Sequence, residues 1–367
     1  MSDPLLSQPP NAPALPIHFL ANQVYQFSYA KPIYERTGGI FIVPKLKKLL
    51  LFKFRLRNTN AFPGVKTFLN TPKLLHRDIK SLGDFHGIII SQSATRIIRD
   101  RGKITTIFMG HGTGDKKYGG NVQLLESYDY HFISGPKHEE KLRDVGLNIP
   151  KERLIRIGNP RFDAYLKGAV GRESCLDSLG VVDRERPTVL FAPTWQKGHA
   201  NLFRFVFRFC RELTRDFNLI IRPHHFEMKY LPLVKAWVKA RGIRHVYFSN
   251  PNNLRHEDTF SVFACSDLMI SDVSSILYEY LITCRPVILI SHTFDNIHSM
   301  PDEMNIATIA DTYGGRSGED IVRLVIDNLA GNNRREIYQT MLQNCFYFND
   351  GRSTDRAVEF LAGLEHR

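Results

Sequence analysis

The stretch "SDLMISDVSSILYEYL", residues 266–281, contains one complete unit of the fold. Its apolar "LMI" is typical of a buried strand, "SDVSS" of a turn and "ILYEYL" of a helix. From residue 17 onward, short apolar runs alternate with amphipathic stretches in this same order. Strict alternation of strands and helices predicts right-handed crossovers and a parallel sheet that is covered on both faces.

The alternation occurs twice along the chain, which predicts two domains. The first series begins with "IHFL" at residue 17, includes the amphipathic "QSATRIIRDRG" after the apolar "FHGIIIS", and closes with "RLIRIG" near 158. The second series begins at "RPTVLFAPTW" (186–195) and closes with "PVILIS". We therefore predict an α/β protein with two doubly wound, Rossmann-like parallel-sheet domains that face each other across a cleft.

Shifts in composition set the limits of these domains. The predicted segments are a flexible proline-rich tail (1–16), an N-terminal domain (17–165), a charged linker (166–186), a C-terminal domain (187–333) and a helical segment that packs back across the junction (334–367). Ligands of such sheets bind outside the carboxyl ends of the strands, so we expect functional side chains directly after strands.

The composition is that of an ordinary globular protein with two domains. The chain has 367 residues, of which 43% are hydrophobic and 23% charged. Five scattered cysteines without a CxxC pair indicate reduced thiols, not a disulfide framework or a zinc site. The start lacks the layout of a signal peptide and no apolar run approaches the ~20 residues of a membrane span, which predicts a cytoplasmic protein. A net charge of +12 indicates an anionic partner.

The segment "KLKKLLLFKFRLR", residues 45–57, is the most basic part of the chain. Its second half alternates apolar and basic residues with a strand-like period, and as a helix its two faces separate poorly. It is either a solvated edge or loop, or a patch that contacts an anionic membrane surface. Its cations are Lys45, Lys47, Lys48, Lys53, Arg55 and Arg57.

The segment "GHGTGDKK", residues 110–117, follows a predicted strand at 104–109. Its glycines permit positive φ and close backbone approach, so that amides can face an anion. His111 offers proton transfer near neutral pH, since histidine is the side chain whose ordinary pKa suits it. The alternative is a histidine that only caps a turn.

Two further segments follow strands of the second series. In "IIRPHHF" (220–226), Arg222 and His224 at a strand end fit phosphate better than metal, because no carboxylate or cysteine lies at ligand spacing. In "SDVSS" (271–275), Ser274 and Ser275 begin a helix, where free N–H groups favour an anion, although one serine there is also an ordinary cap.

The remaining candidates are single residues near strand ends. Asp272 precedes the two serines, and Glu279, one turn into the helix, either reaches a ribose hydroxyl or faces solvent. "GNPRFDAY" (158–165) carries Arg161 and Asp163, and "FAPTW" (191–195) carries Thr194 and Trp195. No P-loop, GxGxxG, GxSxG elbow or metal-type aspartate pair occurs in the sequence.

The ordered set "HGTGDK", "GNPRFD", "LFAPTW", "IIRPHH" and "SDLMISDVSSILYEYL" resembles the CDP-glycerol glycerophosphotransferases, the teichoic acid primases and polymerases. The resemblance implies the two-domain GT-B architecture, an N-terminal acceptor-side domain, a C-terminal nucleotide-binding domain, and work at the cytoplasmic membrane face without a catalytic metal or cofactor. Departures from the family pattern occur at Gly114-Asp115, His225, Val273 and Glu279, and they concern the donor and acceptor more than the fold.

The resemblance also implies a role for each matching residue. His111 and His224 resemble the family's catalytic histidines, and Ser274 and Ser275 resemble the serines that hold the nucleotide phosphates. The predicted donor-binding residues are Arg222, Ser274, Ser275, Asp272, Glu279, Thr194 and Trp195. The predicted acceptor-side residues are Gly112, Thr113, Lys116, Arg161 and Asp163.

Three functions follow as hypotheses. The first is transfer of a polyol phosphate from a CDP-linked donor to a glycan or polyprenyl-linked acceptor, with release of CMP. The second is a GT-B glycosyltransferase or a UDP-sugar 2-epimerase, which Glu279 favours slightly. The third is a binding protein for an acidic polymer or nucleic acid, suggested by charge alone, although no nucleic-acid-binding signature supports it.

Overall fold

The computed structural model of the chain describes residues 15–56, 73–195, 201–251, 259–290, 297–331 and 334–364. Most of the predicted N-terminal tail, as well as Arg57, lies outside these described residues. At its end, Leu15 is already buried in the core of the first lobe.

The first lobe is built on a seven-stranded sheet in which every pairing is parallel. Its strands are β1 (Ile17–Leu20), β2 (Ile40–Val43), β3 (Lys73–His76), β4 (Gly87–Ser91), β5 (Ile104–Phe108), β6 (Tyr130–Ile133) and β7 (Leu154–Arg156). Its helices are α1 (Gln26–Thr37), α2 (Leu46–Leu56), α3 (Pro136–Asp144) and α4 (Asp163–Leu166). The central strand β4 is buried along its whole length, as its continuous apolar run predicts for a parallel strand covered on both faces.

The second lobe is built on a six-stranded sheet, again parallel throughout. Its strands are β8 (Thr188–Phe191), β9 (Asn218–Ile221), β10 (Val246–Phe248), β11 (Leu268–Ser271), β12 (Val287–Ile290) and β13 (Asp311–Tyr313). The helices after residue 170 are α5 (Arg172–Leu179), α6 (Asn201–Glu212), α7 (Leu231–Ala240), α8 (Thr259–Cys265), α9 (Ser275–Tyr280), α10 (Ile321–Ala330), α11 (Arg334–Cys345) and α12 (Ser353–Ala362). These observations confirm the predicted α/β class with two parallel sheets.

The strand orders locate the place where a ligand should bind. The first sheet runs β3-β2-β1-β4-β5-β6-β7 and the second β10-β9-β8-β11-β12-β13. In each sheet the order reverses direction beside the first strand, at β1/β4 and at β8/β11. Ligands of doubly wound sheets bind outside the carboxyl ends of the strands at this reversal.

Two segments differ from their predicted secondary structure. The amphipathic segment 92–102 contains no helix. The Tyr128 hydroxyl donates to the carbonyl oxygens of Ser93 and Thr95 at 3.1 and 2.9 Å, and Arg99 pairs with Asp129 at 2.9 Å, so tertiary contacts replace helical hydrogen bonds.

The second difference is the basic segment 45–57. Its alternating pattern is typical of a strand, but the segment is helical. Residues 46–56 form α2. Leu49, Phe52 and Leu56 share one helical face and are buried in the core of the first lobe, and this packing outweighs the local alternation.

The regions around the junction are ordered by packing. The predicted linker 166–186 contains α5, whose Cys175 lies in the core of the second lobe with its Sγ 2.8 Å from Sγ of Cys265. The C-terminal segment forms two helices: α11 contacts α3 in the first lobe and residues 281–283 in the second, and α12 contacts α1. The final helices therefore pack against both lobes.

Candidate active site

A cavity of about 550 Å³ lies between the two lobes at the carboxyl ends of their central strands. It brings together most of the side chains that the sequence singled out. The predicted residues that line it are His111, Gly112, Lys116, Arg161, Thr194, Arg222, His224, Ser274 and Ser275. Thr113 and Glu279 line a smaller adjoining cavity instead.

His111 lies directly after β5, and its preceding residue Gly110 has φ +70°. Its Nδ1 is 2.5 Å from the carbonyl oxygen of Gln92. Since a carbonyl only accepts hydrogen bonds, Nδ1 carries the proton and Nε2 has a free lone pair. Burial lowers the pKa of His111 below its ordinary value, so the ring is neutral near pH 7 and suited to accept a proton.

His224 lies after β9 on the opposite wall. The backbone N–H of Phe226 points at its Nδ1 at 3.4 Å, which leaves the proton on Nε2. Burial, with His225 and Lys116 nearby, lowers the pKa of His224 to about 3. His224 is therefore a neutral hydrogen-bond donor near pH 7 and not a cation.

Arg222 supplies positive charge to the same wall. Its guanidinium is held by Ser249 Oγ at 2.5 Å and by Thr259 Oγ1 at 3.1 Å. Its side chain is largely buried but lines the cavity. This arrangement fixes the fork of an arginine at the edge of the cavity, as recognition of a phosphate requires.

The turn before α9 packs closely against the segment around His111. Ser274 makes no capping hydrogen bond with its side chain, so the ordinary-cap alternative does not account for it. A Cβ on Gly112 would lie 2.6 Å from Cβ of Ser275, and one on Gly114 would lie 2.8 Å from the Ser275 nitrogen. These glycines are thus required for contact between the lobes, in addition to any part that their amides take in binding an anion.

Three polar contacts cross between the lobes beside this turn. The first is at Asp115, which accepts from the Tyr278 hydroxyl of the second lobe at 2.8 Å and, within its own lobe, from Lys137 Nζ at 2.7 Å. Lys116 Nζ donates to Thr194 Oγ1 at 3.3 Å. The two lobes are therefore already joined along one side of the cavity.

Glu279 and Arg161 form the third such contact, a buried ion pair of 2.6 Å. Both suggestions for Glu279, a ribose ligand or a solvent-facing side chain, disagree with this position. The side chain is inaccessible to solvent and lies outside the main cavity, because the guanidinium of the other lobe holds it.

Three other predicted residues also lie away from the cavity lining. Asp163 is buried and accepts from the backbone N–H groups of Ser353 and Thr354, so it caps α12 and does not face the cleft as predicted. Asp272 accepts from the Thr194 backbone N–H at 2.8 Å and thereby positions the end of β8. Trp195 is at the rim, 40% exposed, with its ring nearly parallel to that of His224.

The structure adds residues that sequence reasoning missed. Gln92 follows β4 and its side chain is fully buried, with neither amide atom in a hydrogen bond. Tyr25 lies between the two lobes, with its ring 5.6 Å from His111 and 5.1 Å from His225. Lys141 reaches the cavity from α3. Gln92 directly follows a strand, so the expectation that functional side chains follow strands also indicates Gln92. No such position in the sequence marks Tyr25 or Lys141.

Helix α2 lies close to the rim of the cavity. Lys48 donates to the Gln23 side chain at 2.7 Å, and Lys48 and Arg55 contribute to the lowered pKa of His225. The outer side of α2 exposes Leu46, Leu50 and Phe54. None of the helices in the described part of the chain is both long enough and apolar enough to cross a bilayer. Within the same ranges, no three histidine, cysteine or carboxylate side chains cluster as a metal site would require.

A family model described as CDP-glycerol:poly(glycerophosphate) glycerophosphotransferase matches residues 82–363 of the chain. Among curated relatives, the teichoic acid ribitol-phosphate polymerase TarL of Staphylococcus aureus is 25% identical over 82% of this chain and 54% of its own length. The teichoic acid glycerol-phosphate primase of Bacillus subtilis is 22% identical over 64% of this chain and 63% of its own length. The teichoic acid poly(glycerol phosphate) polymerase of Staphylococcus epidermidis is 24% identical over 50% of this chain. The chain spans about a quarter of that polymerase (26%) and somewhat more than half of the other two.

Two of the solved structures that match the fold of this chain are a teichoic acid polymerase and an epimerase. The wall teichoic acid polymerase TagF superposes with a TM-score of 0.61 at 16% identity, covering 96% of this chain and 89% of that one. A UDP-GlcNAc 2-epimerase from Neisseria meningitidis superposes with a TM-score of 0.59 at 14% identity, covering 95% of this chain and 99% of that one. These similarities confirm the predicted GT-B fold.

Proposed function

Because the chain belongs to the CDP-glycerol:poly(glycerophosphate) glycerophosphotransferase family, we propose that it transfers a polyol phosphate from a CDP-activated donor to an acceptor hydroxyl. The acceptor is a glycan or a lipid-linked glycan, and CMP is the second product. The observation that carries this proposal is the pair of histidines on opposite walls of one cavity, with the proton on Nδ1 in His111 and on Nε2 in His224.

The two histidines have different roles because their tautomers differ: His111 accepts a proton and His224 donates a hydrogen bond. An acceptor hydroxyl attacks the distal phosphorus of the donor while Nε2 of His111 accepts its proton, so that the new P–O bond forms as the anhydride P–O bond to CMP breaks. Nε2–H of His224 and the guanidinium of Arg222 stabilise the negative charge that develops on the leaving phosphate. Such preorganised positioning and charge stabilisation are the main work in phosphoryl transfer.

The second lobe would hold the donor and the first lobe the acceptor. Arg222, Thr194, Ser274 and Ser275 belong to the second lobe and offer a cation, hydroxyls and backbone N–H groups to a diphosphate. These groups and Lys116 take the part that a metal ion takes in many phosphotransferases, and we propose a reaction without one.

The first-lobe wall beyond His111 has the chemistry of a hydroxyl-binding surface. Asn22, Gln26, Gln92 and Ser93 line it with amides and hydroxyls and without charge. Neutral donors and acceptors of this kind suit the hydroxyl groups of a polyol or sugar. They support a glycan end as the group that receives the phosphate.

The lining of the cavity argues against the epimerase alternative. An epimerase should offer several carboxylates for acid–base chemistry. Among the described residues that line the cavity, Asp115 is the one carboxylate, and Lys137 and Tyr278 already engage both of its oxygens. The similarity to the epimerase therefore rests on the fold alone.

We also propose that the protein works at the inner face of the cell membrane, with α2 against anionic lipid. Leu46, Leu50 and Phe54 are four residues apart and lie on one exposed side of the helix. Lys47 and Lys53 flank this apolar strip, one on each side. Apolar side chains bordered by cations are typical of helices that lie in a membrane surface, and they would bring a lipid-linked acceptor to the cavity.

The proposal is tested by measuring nucleotide release from CDP-glycerol, CDP-ribitol and UDP-GlcNAc in the presence of a lipid-linked glycan acceptor. We expect CMP together with a phosphodiester-linked product from one of the CDP-polyols. His111→Ala should lower turnover by about 10²–10⁴-fold without unfolding, because one general base is lost. His86→Ala, an exposed histidine of the same lobe, is the matched control and should retain activity. Release of UDP or formation of an epimer without CMP release would overturn the proposal.

A further inference from the structure

Lys141 is a buried cation on the wall of the cavity. It projects from α3, and its side chain is only 3% exposed. Its Nζ donates to the carbonyl oxygen of Gly114 at 2.7 Å and lies 4.9 Å from the ring centre of Tyr118. It lines the cavity together with His111 and is close enough to contribute to the lowered pKa of that histidine.

No carboxylate of the described residues forms an ion pair with Lys141. Asp115 is close enough to act on the charge of Lys141, but it pairs at 2.7 Å with Lys137, one helical turn earlier. Lys141 is thus left with three N–H donors, of which one has a protein acceptor. Lys137, His111, His138 and His298 surround it, and Asp115 is the acidic group on that side.

This arrangement is costly for a cation. Burial and the neighbouring Lys137 lower the pKa of Lys141 to about 7, because these surroundings support its charge poorly. A neutral side chain such as that of glutamine could donate the same hydrogen bond to the Gly114 carbonyl oxygen at a smaller cost in desolvation free energy, since burial of an unpaired ammonium is unfavourable. An anion inside the cavity would remove the penalty.

We propose that Lys141 binds the transferred phosphate group of the donor from the first-lobe side, opposite Arg222 and His224. The inference rests on the proposed function, because the donor diphosphate is the anion that this reaction brings into the cavity. Lys141 would hold the distal phosphate beside Nε2 of His111, so that the attacked phosphorus and the base are positioned by the same wall. The proximal phosphate, which leaves with CMP, would lie on the second-lobe wall.

The test compares CDP with CMP by isothermal titration calorimetry, because the two ligands differ in the distal phosphate and not in the base or the alcohol. We expect Lys141→Met to weaken CDP binding by about 10- to 100-fold, the range for a lost hydrogen bond to a charged group, and CMP binding by less than about threefold. Lys141→Arg keeps the charge and should recover most of the CDP affinity. Arg143→Met, on the exposed side of the same helix, is the matched control and should change neither affinity.

Each outcome separates this inference from the function on which it rests. Equal losses for CDP and CMP, or an unchanged CDP affinity, in Lys141→Met would overturn the inference and leave the proposed function standing. Binding of neither ligand by the wild-type protein would overturn both. Lys141→Gln replaces Lys141→Met in the same comparison if the methionine variant does not fold.

Discussion

Arg161 donates from Nη1 to Oε2 of Glu279 at 2.6 Å, and this buried ion pair joins the first lobe to the second. The guanidinium also lies 4.3 Å from the ring centre of Tyr29, which hydrogen-bonds Ser275. The pair thus lies directly behind the turn that the proposed donor contacts. It fixes the relative position of the lobes at the cavity.

We predict that Glu279→Leu lowers the free energy of unfolding by about 3–5 kcal/mol, because it leaves the Arg161 guanidinium buried without its counter-ion. The double variant Arg161→Met/Glu279→Leu should recover a large part of this loss, since both charges are then removed. Urea denaturation at neutral pH measures both values. Arg323→Met, which breaks an exposed pair with Asp327, should cost no more than about 1 kcal/mol. A Glu279→Leu loss as small as that of the control would contradict the structural role.

We predict that Gly114→Ala weakens both stability and donor binding. The new Cβ would lie 2.8 Å from the backbone nitrogen and Cα of Ser275, and backbone atoms cannot move aside as a flexible side chain can. Overpacking of this kind costs about 1–3 kcal/mol, measured as a lower free energy of unfolding. Gly119→Ala is the matched control in the same segment, because a Cβ there meets no atom within 4 Å. Equal effects of the two substitutions would show that the lobes do not pack as closely as described.

The elements that sequence predicted well are those that short-range patterns determine. The "LMI" strand, the "SDVSS" turn and the following helix correspond to β11, residues 272–274 and α9, because apolar periodicity and the turn signal agree there. Parallel pairing then follows from the alternation of strands and helices. The side chains after β5, β8, β9 and β11 meet in one cavity for the same reason.

The features that sequence did not predict depend on contacts between distant residues. Segment 92–102 is not helical as predicted, because the Tyr128 hydroxyl binds two of its backbone carbonyls. Helix α2 forms because Leu49, Phe52 and Leu56 pack into the core of the first lobe. The sequence assigns Asp163 to the cleft because it follows a strand, and Glu279 because it lies one turn into the helix after a strand. In the structure Glu279 pairs with Arg161, and Asp163 caps α12. Both contacts depend on how the two lobes and the C-terminal helices pack together, which short-range sequence patterns do not reveal.

We predict that His131→Leu reduces the acid sensitivity of the fold. Burial and the nearby Arg153 lower the pKa of His131 from 6.5 to about 4. Between these two values the unfolded chain binds a proton that the folded protein does not, so the stabilisation is fully present above pH 6.5 and is lost as the pH falls below it. Between pH 7.5 and pH 5.5 the wild-type protein should lose about 1 kcal/mol more free energy of unfolding than the variant. Chemical denaturation at the two pH values measures this difference, and parallel losses in the two proteins would contradict it.

We predict that Leu50→Glu/Phe54→Glu abolishes binding of the protein to vesicles that contain phosphatidylglycerol. Leu50 and Phe54 are 59% and 65% exposed on the outer side of α2, and carboxylates there would face both apolar acyl chains and anionic headgroups. Lys47→Gln/Lys53→Gln should weaken binding less, by about 1 kcal/mol for each cation, and its effect should shrink at high salt. Val182→Glu places a carboxylate at an exposed apolar position of the second lobe and is the control that should still bind. Sedimentation with vesicles of phosphatidylglycerol, and of phosphatidylcholine alone, measures all four proteins. If the α2 variants sediment like the wild-type protein, another surface carries the contact, and the lipid-linked acceptor would then reach the cavity by a route that does not pass α2.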